Sequence, residues 1–322
     1  MIPWARSGLG RAAAMLALLA VPVLGQTPSE EPPTFTTETN LVTLHVSVLD
    51  KNGHLVTDIP QSAFHVYENG QEQEIRLFKR EDVPVSMCIL IDSSGSMREK
   101  HASVVAAAIA LVRASNPDDE VCFVNFNDEA YIDQDFTNNI GRLEEAMSKI
   151  DSRGGTAMRM AVSAAIDWVD ERGKRDKKVL VVVTDGNDTA SGDDPTLEEL
   201  VRKVKDNDVL IYSIGLLNDE ERGEAKKAKR ALRDLAKASG GLDFYPKDLA
   251  EVQQITPRIA REIRNQYLVA YRPSNEALDG SYRRIKVEVK GVKNVKNVRT
   301  RPGYYAARAP AAISSLGNNR AQ

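Results

Sequence analysis

Val85-Ser86-Met87-Cys88-Ile89-Leu90-Ile91-Asp92-Ser93-Ser94-Gly95-Ser96 is the stretch on which the reading of this chain turns. Its first seven residues form an apolar run of strand length. With so little polar alternation, such a run belongs to a strand covered on both faces, as in a parallel sheet between helices. The polar segment Asp92–Ser96 is then the loop at the C-terminal end of that strand, the edge where ligands collect in open α/β sheets. A carboxylate and two hydroxyls, on Asp92, Ser94 and Ser96, can turn their oxygens toward one point. Hard divalent cations take such all-oxygen ligand sets, with water filling the remaining positions.

Two later loops extend the pattern. Gly154-Gly155-Thr156 places a third hydroxyl on a glycine-rich turn that opens a helix. Val179-Leu180-Val181-Val182-Val183 is a second buried strand, and Thr184-Asp185-Gly186 follows it with a second carboxylate. Each part has an ordinary role open to it: a turn for Asp92–Ser96 and for Asp185-Gly186, a helix cap for Thr156. Their joint placement, each loop in the matching context, points to one site. With only two carboxylates among neutral hydroxyls, a cation there keeps positive character. A small ion such as magnesium also keeps waters that an outside oxygen can displace.

The order Asp-x-Ser-x-Ser, then Thr, then Asp resembles the metal-ion-dependent adhesion site of von Willebrand factor A (VWA) domains. Asp92, Ser94, Ser96, Thr156 and Asp185 fill the five family positions, and the resemblance runs from about Val85 to Arg264. It implies a doubly wound, mostly parallel, Rossmann-like α/β sheet. It also implies direct ligation by Asp92, Ser94 and Ser96, with Thr156 and Asp185 direct or through water. The expected cofactor is a divalent cation, magnesium first, with manganese or calcium as alternatives. The expected partner is a protein that completes the coordination with an Asp or Glu carboxylate.

The rest of the chain sets the context. At 322 residues and 42% apolar composition, one large domain or two modest ones are expected. A net charge of −3 argues against nucleic acid as the main partner. Arg6 and Arg11, the apolar run Ala12–Val21 and the small-residue exit Val23-Leu24-Gly25 read as a secretory signal peptide over 1–25. The apolar run is too short for a comfortable membrane span, so the product is expected to be secreted or periplasmic. Residues 26–37, with three prolines, read as a linker.

Residues 38–82 carry alternating strands at Leu41–Leu49, Ala63–Tyr67 and Glu74–Phe78. From 85 to 264 strands alternate with helices, including one capped by Asp194 and a final one over Leu249–Arg264 kinked at Pro257. Strand patterns return over 266–305, and 306–322 reads as a disordered tail. Neither flank has enough strands to be stable alone. Together they are expected to close a small β-sandwich with the α/β domain inserted between them. The same flank pattern is similar to that of VWA-related proteins common in acidobacteria. Cys88 and Cys122 both fall in core strands and are expected to be buried thiols.

The function this implies is a secreted, metal-dependent protein-binding module of adhesion type, and not an enzyme. The alternatives are a metal-dependent hydrolase, with Asp128 or Asp188 as base, and a VWA scaffold that binds partners without metal. No serine–histidine arrangement or phosphate loop is present to favour catalysis. His45, His54, His65 and His101 show no ligand spacing. Asn187-Asp188-Thr189 matches a glycosylation sequon by coincidence, and the basic stretch from Arg283 to Arg301 reads as a solvated face.

Overall fold

A computed structural model describes residues 41–80 and 82–306. The signal peptide, the linker and residues 307–322 of the expected tail lie outside the described residues. Along the chain, the first flank supplies β1 (Val42–Leu49), β2 (Phe64–Glu68), β3 (Gln71–Gln73) and β4 (Ile75–Lys79). The alternating region supplies β5 (Val85–Asp92), α1 (His101–Ala114), β6 (Glu120–Phe126), β7 (Ala130–Thr137), α2 (Ile140–Ser148) and α3 (Met158–Arg172). It continues with β8 (Lys177–Thr184), α4 (Leu197–Asp206), β9 (Val209–Gly215), α5 (Arg222–Ser239), β10 (Asp243–Phe244) and α6 (Leu249–Arg264). The second flank adds β11 (Tyr267–Tyr271), β12 (Tyr282–Val289), β13 (Asn297–Arg299) and β14 (Gly303–Tyr305).

The central sheet has the order β10-β9-β8-β5-β6-β7. All its neighbours run parallel except β7, which returns antiparallel along β6. Every residue of β5 is buried. Val85, Met87, Ile89 and Ile91 point into a core shared with α1, α2 and α6, while Cys88 and Leu90 point into one shared with α3, α4 and α5. The unbroken apolar run thus follows from helices on both faces.

The flanks interleave. One four-stranded sheet has the order β13-β1-β11-β4 and the other β14-β12-β2-β3, so each draws strands from both sides of the α/β region. Leu44 of β1, Val66 of β2, Val269 of β11 and Val287 of β12 belong to a single buried cluster. Two sheets packed on one apolar core make the expected sandwich. The short strands β3 and β14 are additions to the sequence reading. Three residues each carry too little alternation to register as strands.

Two local expectations are corrected. Helix α4 is capped not by Asp194 but by Thr196, whose hydroxyl accepts from the Glu199 amide while the Glu199 carboxylate accepts from the Thr196 amide. That reciprocal box outcompetes a lone aspartate cap. Helix α6 keeps its expected span, Leu249–Arg264, with Pro257 inside it. The proline removes the amide that would serve the Gln253 carbonyl, and both residues are exposed, so that carbonyl is open to solvent. Cys88 and Cys122 are joined as a disulfide rather than held as thiols. They stand directly opposite each other on β5 and β6, with Cα atoms 4.6 Å apart, a register that the sequence does not reveal.

The sandwich is fastened to the α/β region at the end of α6. Glu262, 3% exposed, accepts from Ser47 Oγ of β1 at 3.3 Å and Tyr212 Oη of β9 at 3.3 Å, and pairs with Arg299 of β13. Buried Lys177, at the start of β8, donates to the Ile263 carbonyl, and burial lowers its pKa to about 8. Removing one member of a buried pair strands its partner. Glu262→Ala is therefore expected to cost about 3–5 kcal/mol in chemical denaturation. A loss under about 1 kcal/mol would contradict this account of the junction.

Candidate metal centre

The C-terminal ends of β5 and β8 and the N-terminal end of α3 bring the candidate residues to one edge of the sheet. Asp92 is the last residue of β5 and is fully buried. Its Oδ1 accepts from the Ser94 amide at 2.8 Å and its Oδ2 from the Thr184 hydroxyl at 2.5 Å. Ser94 Oγ lies 3.1 Å from Ser96 Oγ, and Ser96 Oγ donates to Asp185 Oδ1 at 2.8 Å. Lys100 Nζ donates to Asp185 Oδ2 at 2.8 Å and lies 3.0 Å from Asp219 Oδ2.

The three loops are also bonded through their backbones. The Gly95 amide donates to the Gly154 carbonyl at 3.1 Å, and the Arg153 amide to the Ser93 carbonyl at 2.8 Å. The Thr156 carbonyl accepts from the Thr189 and Ala190 amides at 2.9 and 3.0 Å. Gly154 has φ +73°, and a Cβ there would strike the Asp128 carboxylate. That carboxylate accepts from the Gly155 amide at 2.8 Å, so the turn needs glycine for both conformation and approach. Asp92, Ser94, Ser96 and Asp185 thus join one hydrogen-bonded chain. Thr156 arrives on a loop tied to both others, without a side-chain hydrogen bond to those four among the described residues.

The sequence reading missed Thr184, Lys100 and Asp219. Thr184 immediately precedes Asp185, and its hydroxyl reaches across to the neighbouring strand end. Lys100 follows Ser96 by four residues, and its reach to Asp185 depends on a contact 85 residues apart in the chain. Of the two carboxylates weighed as bases, Asp128 fastens the Gly155 turn. Asp188 accepts from the Arg159 amide at 2.7 Å, at the start of α3, and from Ser191 Oγ at 2.7 Å. The sequon is structurally engaged too: Asn187 Nδ2 donates to Glu224 at 2.8 Å, and Thr189 Oγ1 accepts from the Thr156 amide at 3.1 Å.

The donor set suits a hard cation. Burial raises the Asp92 pKa to about 6, with the Asp185 charge adding to the rise and the Thr184 and Ser94 hydrogen bonds opposing it. Among the described residues both hydrogen-bond partners of Asp92 are neutral and no cationic side chain touches it, so its charge is solvated by dipoles. A divalent ion against this carboxylate and the adjacent hydroxyls would supply the missing charge. Among the described residues there is no group of three or more His, Cys, Asp or Glu side chains arranged to hold a metal. The set is therefore mixed carboxylate and hydroxyl, unlike the carboxylate-rich cages that sequester calcium.

The von Willebrand factor type A domain profile matches residues 86–258, over half of the chain. The chain belongs to the von Willebrand factor type A family. Domains of this family typically mediate metal-dependent protein interactions and often bind a divalent cation at a metal-ion-dependent adhesion site. A curated relative, calcium-activated chloride channel regulator 1 of Equus caballus, is 25% identical over 173 residues, which cover 51% of this chain and 17% of that protein. This VWA chain therefore matches about a sixth of the length of that relative.

Among solved structures, a von Willebrand factor type A protein from Catenulispora acidiphila aligns with a TM-score of 0.50 and 14% identity, over 85% of this chain and 75% of that one. Proximal thread matrix protein 1 from the mussel byssus, with a zinc-occupied MIDAS motif, aligns with a TM-score of 0.49 and 17% identity, over 61% and 49%. At 14% identity the likeness to the Catenulispora acidiphila protein concerns the fold alone. No helix among the described residues is long and apolar enough to cross a membrane.

The raised Asp92 pKa carries a stability cost with a definite sign. Without metal the folded state binds more protons than the unfolded state between pH 3.8 and about 6, so stability falls as pH rises through that window. At neutral pH the ionised carboxylate costs roughly 3 kcal/mol, about two pKa units. Asp92→Asn keeps an acceptor for the Ser94 amide and a partner for Thr184. In chelator at pH 7 it is expected to stabilise the protein by about 1–3 kcal/mol, the gain shrinking toward pH 4. Denaturant titrations showing no gain at pH 7, or an equal gain at both pH values, would contradict this.

Proposed function

We propose that this protein is an exported, metal-dependent binding module that grips a protein partner through a bound cation. Asp92, Ser94 and Ser96 hold the ion, and Thr156 and Asp185 support it directly or through water. Magnesium is the first choice, with manganese or calcium as alternatives. When bound, the ion supplies a Lewis-acidic position open to a carboxylate oxygen, here an Asp or Glu of the partner. The observation that carries this reading is the buried Asp92 carboxylate with neutral partners only, beside two serine hydroxyls at the ligand-binding edge of the sheet.

The residues around the ion act by binding and orientation. Thr184 and the Ser94 amide fix the Asp92 rotamer, and the glycine turn at 154–155 brings Thr156 to the same edge. Ser96 is exposed, which leaves the outer side of the centre open to a partner. Export rests on the N-terminal sequence. The non-enzymatic reading is supported by Asp188, whose two oxygens are both taken by Arg159 and Ser191 at the start of α3.

Calorimetry with magnesium or manganese chloride is the test. The wild-type protein is expected to bind one ion, and Asp92→Ala to lose at least tenfold in affinity, in line with the loss of a charged ligand. Equal affinity in the two proteins would overturn the metal reading. Partner capture that survives both chelation and Asp92→Ala would favour the metal-independent scaffold instead.

A further inference from the structure

The two acids of the centre are not equivalent. Asp92 is balanced by neutral dipoles alone. Asp185, whose side chain is 1% exposed, has a resident cation: Lys100 Nζ stands 2.8 Å from one of its oxygens, while Ser96 Oγ holds the other. Lys100 also reaches Asp219 at 3.0 Å, across to the turn that follows β9. The two contacts with Asp185 and Asp219 hold the Lys100 ammonium in place between the loops. Lys100, Ser96 and Asp219 line one groove of about 950 Å³ together with Leu216 and Lys247, so the ammonium sits on the open side of the centre.

A fixed positive charge beside a cation site repels the cation. It also neutralises a carboxylate that would otherwise lower the ion's net charge. We propose that Lys100 is a tethered counter-ion that sets the affinity of the centre. It holds Asp185 in place without metal, weakens the grip of the protein on a divalent ion, and leaves that ion with charge to spend on an outside carboxylate. Lys100 is a positioning and tuning residue here, not a ligand. The inference rests on the metal-binding reading given above and adds to it the residue that tunes the site toward partner binding and away from sequestration.

The test uses the full chain and manganese chloride alone as probe. A unit charge within several ångströms of a half-exposed ion changes affinity by roughly five- to tenfold. Lys100→Gln is expected to bind manganese tighter by about that factor, and Lys100→Arg, which keeps the charge, to stay within about twofold of wild type. Without metal, Lys100→Gln leaves Asp185 uncompensated, so its Tm is expected to drop, and manganese is expected to raise it by more than in wild type. Asp219→Asn is the independent arm: it changes an exposed residue, leaves the ammonium in place and removes a nearby acid, so manganese binding is expected to weaken. Wild type that binds manganese, with Lys100→Gln binding it equally or more weakly, overturns this inference and leaves the metal site standing. Tighter binding by Asp219→Asn also overturns it. Wild type that binds no manganese overturns the metal site and this inference together.

Discussion

A carboxylate enclosed by protein must be hydrogen-bonded and neutralised, or it takes up a proton. Asp92 meets only the first condition from the chain itself. It closes a strand with no exposed residue, and its oxygens accept from one amide and one hydroxyl. The geometry of the surrounding loops follows from this placement. Thr184 satisfies one oxygen from the neighbouring strand, the turn through Ser94 folds back onto the other, and the Ser96 hydroxyl leads on to Asp185. The result is an oxygen-lined edge with negative charge to spare at one point, beside a second acid that already has its lysine.

The architecture keeps that edge clear. The chain enters the central sheet at Val85 and reaches Asp92 at the far end of the same strand, so the sandwich joins at the end of β5 away from the centre. The return through α6 is pinned by Glu262 and Lys177, both buried at that junction. Each sandwich sheet needs strands from both flanks, which couples the folding of the flanks to that of the inserted domain. The disulfide between β5 and β6 lies within the core face shared with α3, α4 and α5, four residues before Asp92 on the same strand.

Much of this was legible in the sequence, for identifiable reasons. The runs at 85–91 and 179–183 are too uniformly apolar for a half-exposed sheet, which gave the parallel core and, with it, the edge where Asp92 and Asp185 emerge. The alternation in 41–49 and 284–290 marked strands on either side, but β1 is buried on both faces because its polar face packs on the α/β region, with Ser47 against Glu262. Pairing across the sheet was not legible. The Cys88–Cys122 bond depends on register, the Thr184–Asp92 bond on which strands are neighbours, and the Lys100–Asp185 pair on the path of a loop. The cap of α4 was misplaced because an aspartate followed by proline is a common helix start, while the reciprocal bonds of Thr196 and Glu199 settle the boundary two residues later.

Whether a cation sits where these three loops meet is decided most directly by anomalous diffraction from crystals grown with manganese chloride. The account predicts a single strong anomalous peak enclosed by the oxygens of Asp92, Ser94 and Ser96, on the side facing Thr156 and Asp185. An ordered, peptide-free edge with no peak at saturating manganese, or a peak only elsewhere on the molecule, would contradict it.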